Sequence, residues 1–255
     1  MTKKRNGSEA KSMFSQMSAS ILVNAVYAMI NYPIVLISTL LAPFSFLIVI
    51  TFVSHGTLAP IAIGGALIMS MISSGTSLQG DLSHLKNDFK LQDMVVSSPT
   101  SSRMYLIGMA LSEIVYSAPA LLVLAILAGI YISASAIGYA EIILVMAIMF
   151  IFSISLGFLL STFTTDVIQS WAFTGIVSTI LSALPPVYYP ITYIPLPFRY
   201  FAYLSPATYA AEIVQSITGL VQFSSQTLAI DWVVIIAVAV AMAILAIKKS
   251  RWREI

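Results

Sequence analysis

The sequence predicts an all-α, polytopic membrane protein with six transmembrane helices. Of its 255 residues, 59% are hydrophobic and only 9% are charged, and the mean hydropathy is +0.96, so most of the chain suits lipid better than water. The apolar residues form six blocks, each long enough for a hydrocarbon core of about 30 Å. If these blocks alternate across a membrane, eleven of the twelve Lys and Arg residues fall on one side.

The basic residues indicate which side of the membrane is cytoplasmic. Cytoplasmic segments carry an excess of Lys and Arg, because moving a cation across the membrane against the potential is disfavoured. We therefore expect a plasma-membrane protein with both termini in the cytoplasm and Arg199 as its single external Lys or Arg. The other basic residues precede the first block, separate the second from the third, or follow the last: Lys3, Lys4, Arg5 and Lys11; Lys86, Lys90 and Arg103; and Lys248, Lys249, Arg251 and Arg253.

Composition also excludes several classes of function. The chain has no Cys, so it forms neither disulfides nor thiolate metal sites. Its basic residues are separate topological anchors rather than a continuous stripe, so we expect no nucleic-acid partner. The basic start is separated from the first long apolar block by a polar stretch through Ser20, and no small-residue cleavage site follows a short apolar core. We therefore expect the start to be retained rather than removed as a signal peptide.

The N-terminal half contains an interfacial segment and the first two spans. Residues 8–20 carry an apolar face at helical spacing, which predicts a short helix in the cytoplasmic interface; a disordered tail is the alternative. The first span is predicted at 32–53 and is followed by a tight external turn at His55 and Gly56. The second, at 58–78, is rich in Gly and Ser, which favours close helix packing in lipid over the alternative of a polar path.

The remaining spans are predicted at 104–132, 139–163, 167–184 and 230–247. The third of the six is long enough to be tilted or to begin with an interfacial turn. The fourth carries small residues at intervals of four, which line one face, and we expect that face to contact another helix. These small residues are Ser153, Gly157 and Ser161.

The segment 185–219 between the fifth and sixth spans is unlike a regular spanning helix. Residues 185–209 contain six of the eleven Pro and six of the twelve Tyr. A spanning helix does not tolerate this density of Pro, and Tyr favours the headgroup level. We predict broken, interfacial structure on the external side, followed by a short helix at about 206–219. Tyr188, Tyr189 and Tyr193 are candidates for lining a translocation path.

The segment 81–103 is the one substantial cytoplasmic connection. Its apolar residues Leu82, Leu85 and Phe89 recur on one helical face, and Pro99 ends the pattern, which predicts an amphipathic cytoplasmic helix over 81–97. Such a helix could lie in the membrane interface, or it could dock in a groove on a cytoplasmic protein. For the second case the candidate contact residues are Asp81, Leu82, Leu85, Lys86, Phe89, Lys90 and Asp93.

Three acidic residues lie in or near apolar blocks, where an ionised carboxylate costs a few kcal/mol. Glu113 is the one that we expect deep in the membrane, roughly 15 Å inward from Arg103 at a rise of 1.5 Å per residue. It is a candidate for the translocation path, and a buried, hydrogen-bonded structural role is the alternative. Glu141 and Asp231 are predicted to lie at external helix N-termini, where a carboxylate is favourable.

No motif for catalysis or nucleotide binding occurs. The chain has no G-x-x-x-x-G-K-[ST] sequence, so we expect no phosphate-binding loop, no cofactor and no catalytic residue on it. The two His residues, His55 and His84, are predicted on opposite sides of the membrane, and no H-E-x-x-H sequence or paired carboxylates indicate a metal site or a hydrolase.

Over nearly its whole length the chain resembles the membrane subunit of a type-2 ATP-binding-cassette (ABC) transporter permease. The resemblance lies in six spans, cytoplasmic termini, a helix before the first span, and two polar blocks in the expected order. The first block has Ser98, Pro99 and Arg103; the second has Pro186, Tyr188, Tyr189, Pro190, Leu196, Pro197, Ser205, Pro206 and Glu212. Many relatives have a Glu-rich stretch and a Gly-Thr-Leu-Glu run before the Ser-Pro, whereas residues 89–94 here read Phe-Lys-Leu-Gln-Asp-Met.

The resemblance implies a permease of an ATP-driven exporter. It would act as a dimer with a second copy or a related permease, and the helix 81–97 would couple each copy to a separate ABC ATPase that binds ATP and magnesium. Two other classes stay open. An ion-driven secondary transporter would use intramembrane ionisable residues, but Glu113 has no evident partner in the sequence. A non-transporting membrane scaffold could share the same fold.

Overall fold

A computed structural model describes residues 15–31, 33–87, 102–164 and 166–249. The all-α prediction is confirmed for these residues, which contain no strand. A helical segment, α1 (15–31), contains a π-helical stretch at Leu22–Val26. The other helices, in chain order, are α2 (Pro33–Val53), α3 (Ala59–Asn87), α4 (Ser102–Tyr131), α5 (Ala136–Ser161), α6 (Val167–Ala183), α7 (Arg199–Ala202), α8 (Pro206–Ile217) and α9 (Ser225–Lys249).

Four helices are long and apolar enough to cross a membrane. They are α3 over Ala59–Ser83, α4 over Ile107–Tyr131, α5 and α9. The other two predicted spans correspond to α2, whose part Pro43–Val53 is a shorter apolar helix, and to α6, which has 17 residues. The structure therefore supports a polytopic membrane protein, and the number of six spans stays a prediction.

Helix α3 lies at the centre of the bundle. It packs most extensively against α5 and also contacts α2, α4, α6 and α8. In the apolar 18-residue stretch of α3, 89% of the residues are buried. The corresponding stretches of α4 and α9 are each 22% buried, and that of α5 is 39% buried. The Gly- and Ser-rich composition of this span therefore serves helix packing, as its small residues predict.

The bundle has two distinct ends. The first, here the Pro/Tyr end, carries the turn at His55 and Gly56, where both residues have positive φ, and the irregular stretch 184–205. The second, here the basic end, carries the end of α3, the start of α4 and the end of α9. Because consecutive long helices connect at alternating ends, the arrangement fits the topology that the basic residues predict.

The N-terminal helix is longer than its sequence pattern indicates. We predicted an interfacial helix over 8–20, whereas helix continues from residue 15 to Asn31; residues 8–14 lie outside the described part of the chain. Helix α1 packs on the start of α4, where the Ser112 Oγ donates to the Ser20 carbonyl at 3.3 Å. Its second half was missed because Ile21–Ile30 is apolar on several faces and lacks a helical period.

Candidate functional site

The closest helix contact in the bundle joins α3 to α5. The Ser153 Oγ donates to the Met71 carbonyl oxygen at 2.8 Å, and Ser153 itself is completely buried. A Cβ atom added to Gly157 would lie 2.4 Å from the Gly75 carbonyl oxygen, which is too close for any side chain. The face predicted from Ser153 and Gly157 therefore does contact another helix, through a small-residue seam that we call the α3–α5 seam (Met71, Gly75, Ser153 and Gly157).

Buried polar groups join helix α6 to α3. The Gln79 Nε2 donates to the Ser170 carbonyl at 3.3 Å, and the Ser170 Oγ donates back to the Gln79 carbonyl at 3.2 Å. Thr76 lies about one turn from Gln79 on α3, and Ser178 lies about two turns from Ser170 on α6. The hydroxyls of Thr76 and Ser178 are 3.3 Å apart. Both Gln79 and Ser170 are fully buried, so these hydrogen bonds form where no lipid or solvent competes.

Glu113 lies in the contact between α4 and α3. It is 5% exposed and its Oε2 accepts a hydrogen bond of 2.9 Å from the Ser77 Oγ. The side chain of Asp81, also on α3, forms a second hydrogen bond with it. The structure thus supplies partners that were not evident in the sequence. These two hydrogen bonds join α4 to α3 through a buried polar contact.

The predicted ATPase-contact segment begins as the last turns of α3. This helix runs without a break from Ala59 to Asn87, so residues 81–87 extend the central helix rather than start a separate one. Asp81 and Leu82 are half-buried, and Asp81 faces Glu113 as described. Leu85 and Lys86 lie on the same helix. The remaining candidates, Phe89, Lys90 and Asp93, lie outside the described residues, as do Ser98 and Pro99.

The irregular stretch at the Pro/Tyr end is held by α8. Helix α8 begins after the N-cap residue Ser205, whose hydroxyl accepts a hydrogen bond from the Ala207 N–H at 3.3 Å. Pro206 occupies the first turn, where its missing N–H costs nothing. From the far end of α8, the Gln215 Nε2 donates to the carbonyls of Pro186 and Tyr189 at 3.0 and 3.1 Å. Gln215 is 1% exposed, so it links the broken segment to the bundle core.

An apolar cavity of about 770 Å³ opens at the Pro/Tyr end. The end of α2 with its following turn forms one wall, and the end of α6 with the irregular stretch forms the other. The lining residues are Ile50, Val53, Ser54, Leu58, Leu184, Tyr189, Tyr193, Ile194, Pro195, Phe198, Phe201 and Ala202. At the mouth, Val53, Tyr193 and Phe198 are 74%, 64% and 64% exposed, so the cavity communicates with the surroundings of the bundle.

The four path candidates do not form one site. Tyr189 and Tyr193 line the cavity, and their rings stack with centroids 6.5 Å apart. Tyr188 is turned into the core, where it stacks on Phe46 at 5.3 Å and where burial raises the pKa of its hydroxyl. Glu113 lies towards the basic end. Of the four candidates, Tyr189 and Tyr193 therefore meet at a cavity.

A second buried carboxyl cluster lies between α8 and α9. Glu212 is 1% exposed, and its Oε1 accepts a hydrogen bond of 2.8 Å from the Tyr203 hydroxyl. Burial raises the pKa of Glu212, and the Tyr203 hydrogen bond partly opposes that shift. Asp231 of α9 is 2% exposed and lies near enough for its charge to act on Tyr203 and Tyr209. Both carboxyls have one buried oxygen without a hydrogen-bond partner among the described residues.

Two acidic residues lie deeper in their helices than the sequence predicted. Helix α5 begins at Ala136 with Ser135 as its N-cap, and the Ser224 hydroxyl accepts from the Thr227 N–H at the start of α9. Consequently neither Glu141 nor Asp231 lies in a first helical turn, and the prediction that they lie at helix N-termini is wrong. The caps, Ser135 and Ser224, are the sequence signal that would have placed both helix starts correctly.

Sequence reasoning also missed the cavity and the part that Arg199 plays at its edge. The Nε and Nη2 of Arg199 donate to the Ile194 carbonyl at 3.3 and 3.1 Å, and Nη2 also donates to the Thr192 carbonyl at 3.2 Å. The cavity walls come from residues more than a hundred positions apart, so no local pattern indicates it. The one available signal was Arg199 as an isolated cation in an apolar, aromatic segment.

The apolar helices and their buried seams define a polytopic helical membrane protein, and its class follows from comparison with known families. Residues 19–218 match the model of the ABC-2 type transporter family. Because the match covers most of the chain, from α1 to the end of α8, the protein belongs to that family. It is a membrane transport subunit of the permease type, which confirms the resemblance described above. No curated protein matches the chain.

Proposed function

We propose that the chain is the permease subunit of an ATP-driven exporter in the plasma membrane. Two copies, or one copy and a related permease, would form a two-fold unit around a central path, since a symmetric dimer is the commonest arrangement of such subunits. A separate ABC ATPase would bind ATP and magnesium. Membership of the ABC-2 family supports the assignment, and the absence of a phosphate-binding loop in the sequence supports the separate ATPase.

The position of α3 is the observation that carries the proposed mechanism. This helix is the most buried of the candidate spans, contacts five other helices, and continues unbroken to Asn87, inside the segment 81–97 that we predict to dock on the ATPase. A displacement at that end would therefore act directly on the centre of the bundle. Side chains on either side of α3 connect it rigidly to α5 and α6 through buried hydrogen bonds, including the Ser153 and Gln79 bonds.

The cycle follows from this connection. ATP binding would bring the two ATPases together and shift the docked segments, and α3 would pass the shift to the helices around it, so that the central path opens towards the other side. Hydrolysis would reset the bundle. The Pro/Tyr end would be external, with its aromatic residues lining the exit, and transport would run outward, as in the exporters that the family resemblance implies.

Co-purification tests the docking step. The chain is expressed with a candidate ABC ATPase, and the recovery of ATPase is compared for the wild type and for Leu85→Asp combined with Phe89→Asp. Two charges on the apolar stripe should remove most of the bound ATPase, because a docked apolar face cannot accommodate an unpaired carboxylate. Thr57→Asp, an exposed position in the turn at the opposite end, is the matched control and should leave recovery unchanged. Equal recovery with the double variant would refute the docking segment.

A further inference from the structure

The cavity at the Pro/Tyr end is suited to an apolar chain. Its volume of about 770 Å³ is in the range of small-molecule binding sites, and its walls are almost entirely aliphatic or aromatic. Ser54 is the one lining residue with an aliphatic hydroxyl, and that hydroxyl is occupied, because it accepts from the Leu58 N–H at 3.2 Å and donates to the Thr51 carbonyl at 3.4 Å. The cavity therefore has little to offer a polar molecule beyond the tyrosine hydroxyls at its edge.

A cation lies beside this apolar cavity. Arg199 is the single Lys or Arg between Arg103 and Lys248, and it follows directly on the lining residue Phe198. Its guanidinium donates to the carbonyl of Ile194, which also lines the cavity, so the charge is held next to that wall. Among the described residues no carboxylate forms an ion pair with Arg199, and its Nη1 has no hydrogen-bond partner.

An apolar cavity with an unneutralised cation next to it matches the two parts of one kind of molecule. The acyl chain of a membrane amphiphile can lie against the apolar walls as it lies against other lipid chains, and an anionic headgroup gains from a guanidinium that can donate to it. The cavity opens among exposed Val53, Tyr193 and Phe198 at the end of the helices. In the proposed topology this end would lie at the level where a bilayer places headgroups beside acyl chains. A membrane lipid can therefore enter it from the side, without crossing water.

We infer that this cavity binds an acyl chain of an anionic phospholipid from the outer leaflet, with the headgroup at Arg199. The inference rests on the proposed function for its outward-facing placement, and it deepens that function by naming a lipid as the molecule that occupies the exit. Arg199 would select the headgroup, and the walls from α2 and the irregular stretch would hold the chain.

Photolabelling of the purified full chain in phosphatidylcholine nanodiscs tests the inference. Two probes carry the same diazirine acyl chain, one on phosphatidylglycerol and one on phosphatidylcholine, and mass spectrometry maps the labelled residues. We expect the phosphatidylglycerol probe to label 189–202 more strongly than the phosphatidylcholine probe. Arg199→Gln should reduce the phosphatidylglycerol labelling by roughly two- to five-fold, the range of an exposed ion pair, whereas Arg199→Lys should preserve the preference.

A pair of tryptophan variants separates binding in the cavity from contact with bulk lipid. Val53→Trp places an indole at the cavity mouth and should reduce labelling by both probes. Phe52→Trp is its control, because Phe52 is 76% exposed, adjacent in sequence and not part of the lining; it should label like the wild type. Equal labelling by the two probes in the wild type, or labelling that Val53→Trp does not reduce, would overturn the inference. No ATPase is present in this experiment, so its outcome does not depend on whether the segment 81–97 docks on an ATPase.

Discussion

The α3–α5 seam should be highly sensitive to a single added methyl group. In Gly157→Ala the new Cβ would lie 2.4 Å from the Gly75 carbonyl oxygen, whereas ordinary van der Waals contact begins at 3.4 Å. The two helices must therefore separate by about 1 Å at this point. The position of the new Cβ is fixed by the backbone, and the carbonyl oxygen of Gly75 is itself a backbone atom. No side-chain rotation can therefore relieve the overlap.

Three contributions determine the magnitude, two destabilising and one stabilising. Overpacking of a close contact costs about 1–3 kcal/mol. The separation also weakens the bond between the Ser153 Oγ and the Met71 carbonyl, and a typical bond of this kind contributes about 0.5–1.5 kcal/mol. Replacing Gly by Ala in a helix stabilises the folded state by roughly 0.5–1 kcal/mol. We therefore expect a net loss of about 1–3 kcal/mol in the free energy of unfolding for Gly157→Ala.

The chain provides matched controls for this effect. A Cβ added to Gly175 in α6 or to Gly129 in α4 would meet no atom within 4 Å. Gly175→Ala and Gly129→Ala make the same chemical change in a helix without the overlap, so they should be neutral or slightly stabilising. Unfolding of the three variants and the wild type by SDS in mixed micelles, followed by tryptophan fluorescence, gives the comparison. A Gly157→Ala variant as stable as the Gly175→Ala variant would refute the close contact at the seam.

Two further predictions concern the Pro/Tyr end. The buried Glu212 has a raised pKa, so the folded state binds its proton more tightly than the unfolded chain does; its stabilising contribution is complete below the unfolded pKa of about 4.3 and is lost as pH rises through the folded value. Glu212→Gln should flatten this fall in thermal stability with rising pH. An unchanged pH profile in this variant would contradict the raised pKa of Glu212. Gln215→Ala should lower the free energy of unfolding by about 1–3 kcal/mol, because the carbonyls of Pro186 and Tyr189 lose their donor, whereas exposed Gln226→Ala should have little effect on the same thermal unfolding measurement.

The positions of the long helices could be predicted because lipid imposes a length and an apolar composition on them. Helix α2 was predicted at 32–53 and lies at Pro33–Val53, and α6 was predicted at 167–184 and lies at Val167–Ala183. In a membrane, however, a lipid-facing residue and a buried one are equally apolar, so hydrophobicity does not reveal which helix is central. The small residues of α3, such as Gly75, were the signal that did.

The functional site was harder to predict than the fold, because its parts meet only in three dimensions. Tyr189 and Tyr193 were proposed for the path and do line a cavity, whereas Tyr188, their neighbour, packs into the core; composition alone does not separate them. Asp231 was misplaced because the helix start was assigned by where the apolar run begins rather than by the cap at Ser224. Glu113 lacked an evident partner because Ser77 is 36 positions away.

Membrane sidedness is the central claim, since the proposed ATPase contact, the direction of transport and the outer-leaflet lipid site all depend on it. The chain has no Cys, so a single introduced thiol is a unique reporter. His84→Cys and Ser224→Cys are labelled with a membrane-impermeant maleimide in intact and in permeabilised cells. We expect Ser224→Cys to react in intact cells and His84→Cys to react only after permeabilisation. Reaction of His84→Cys in intact cells, with Ser224→Cys protected, would contradict the account.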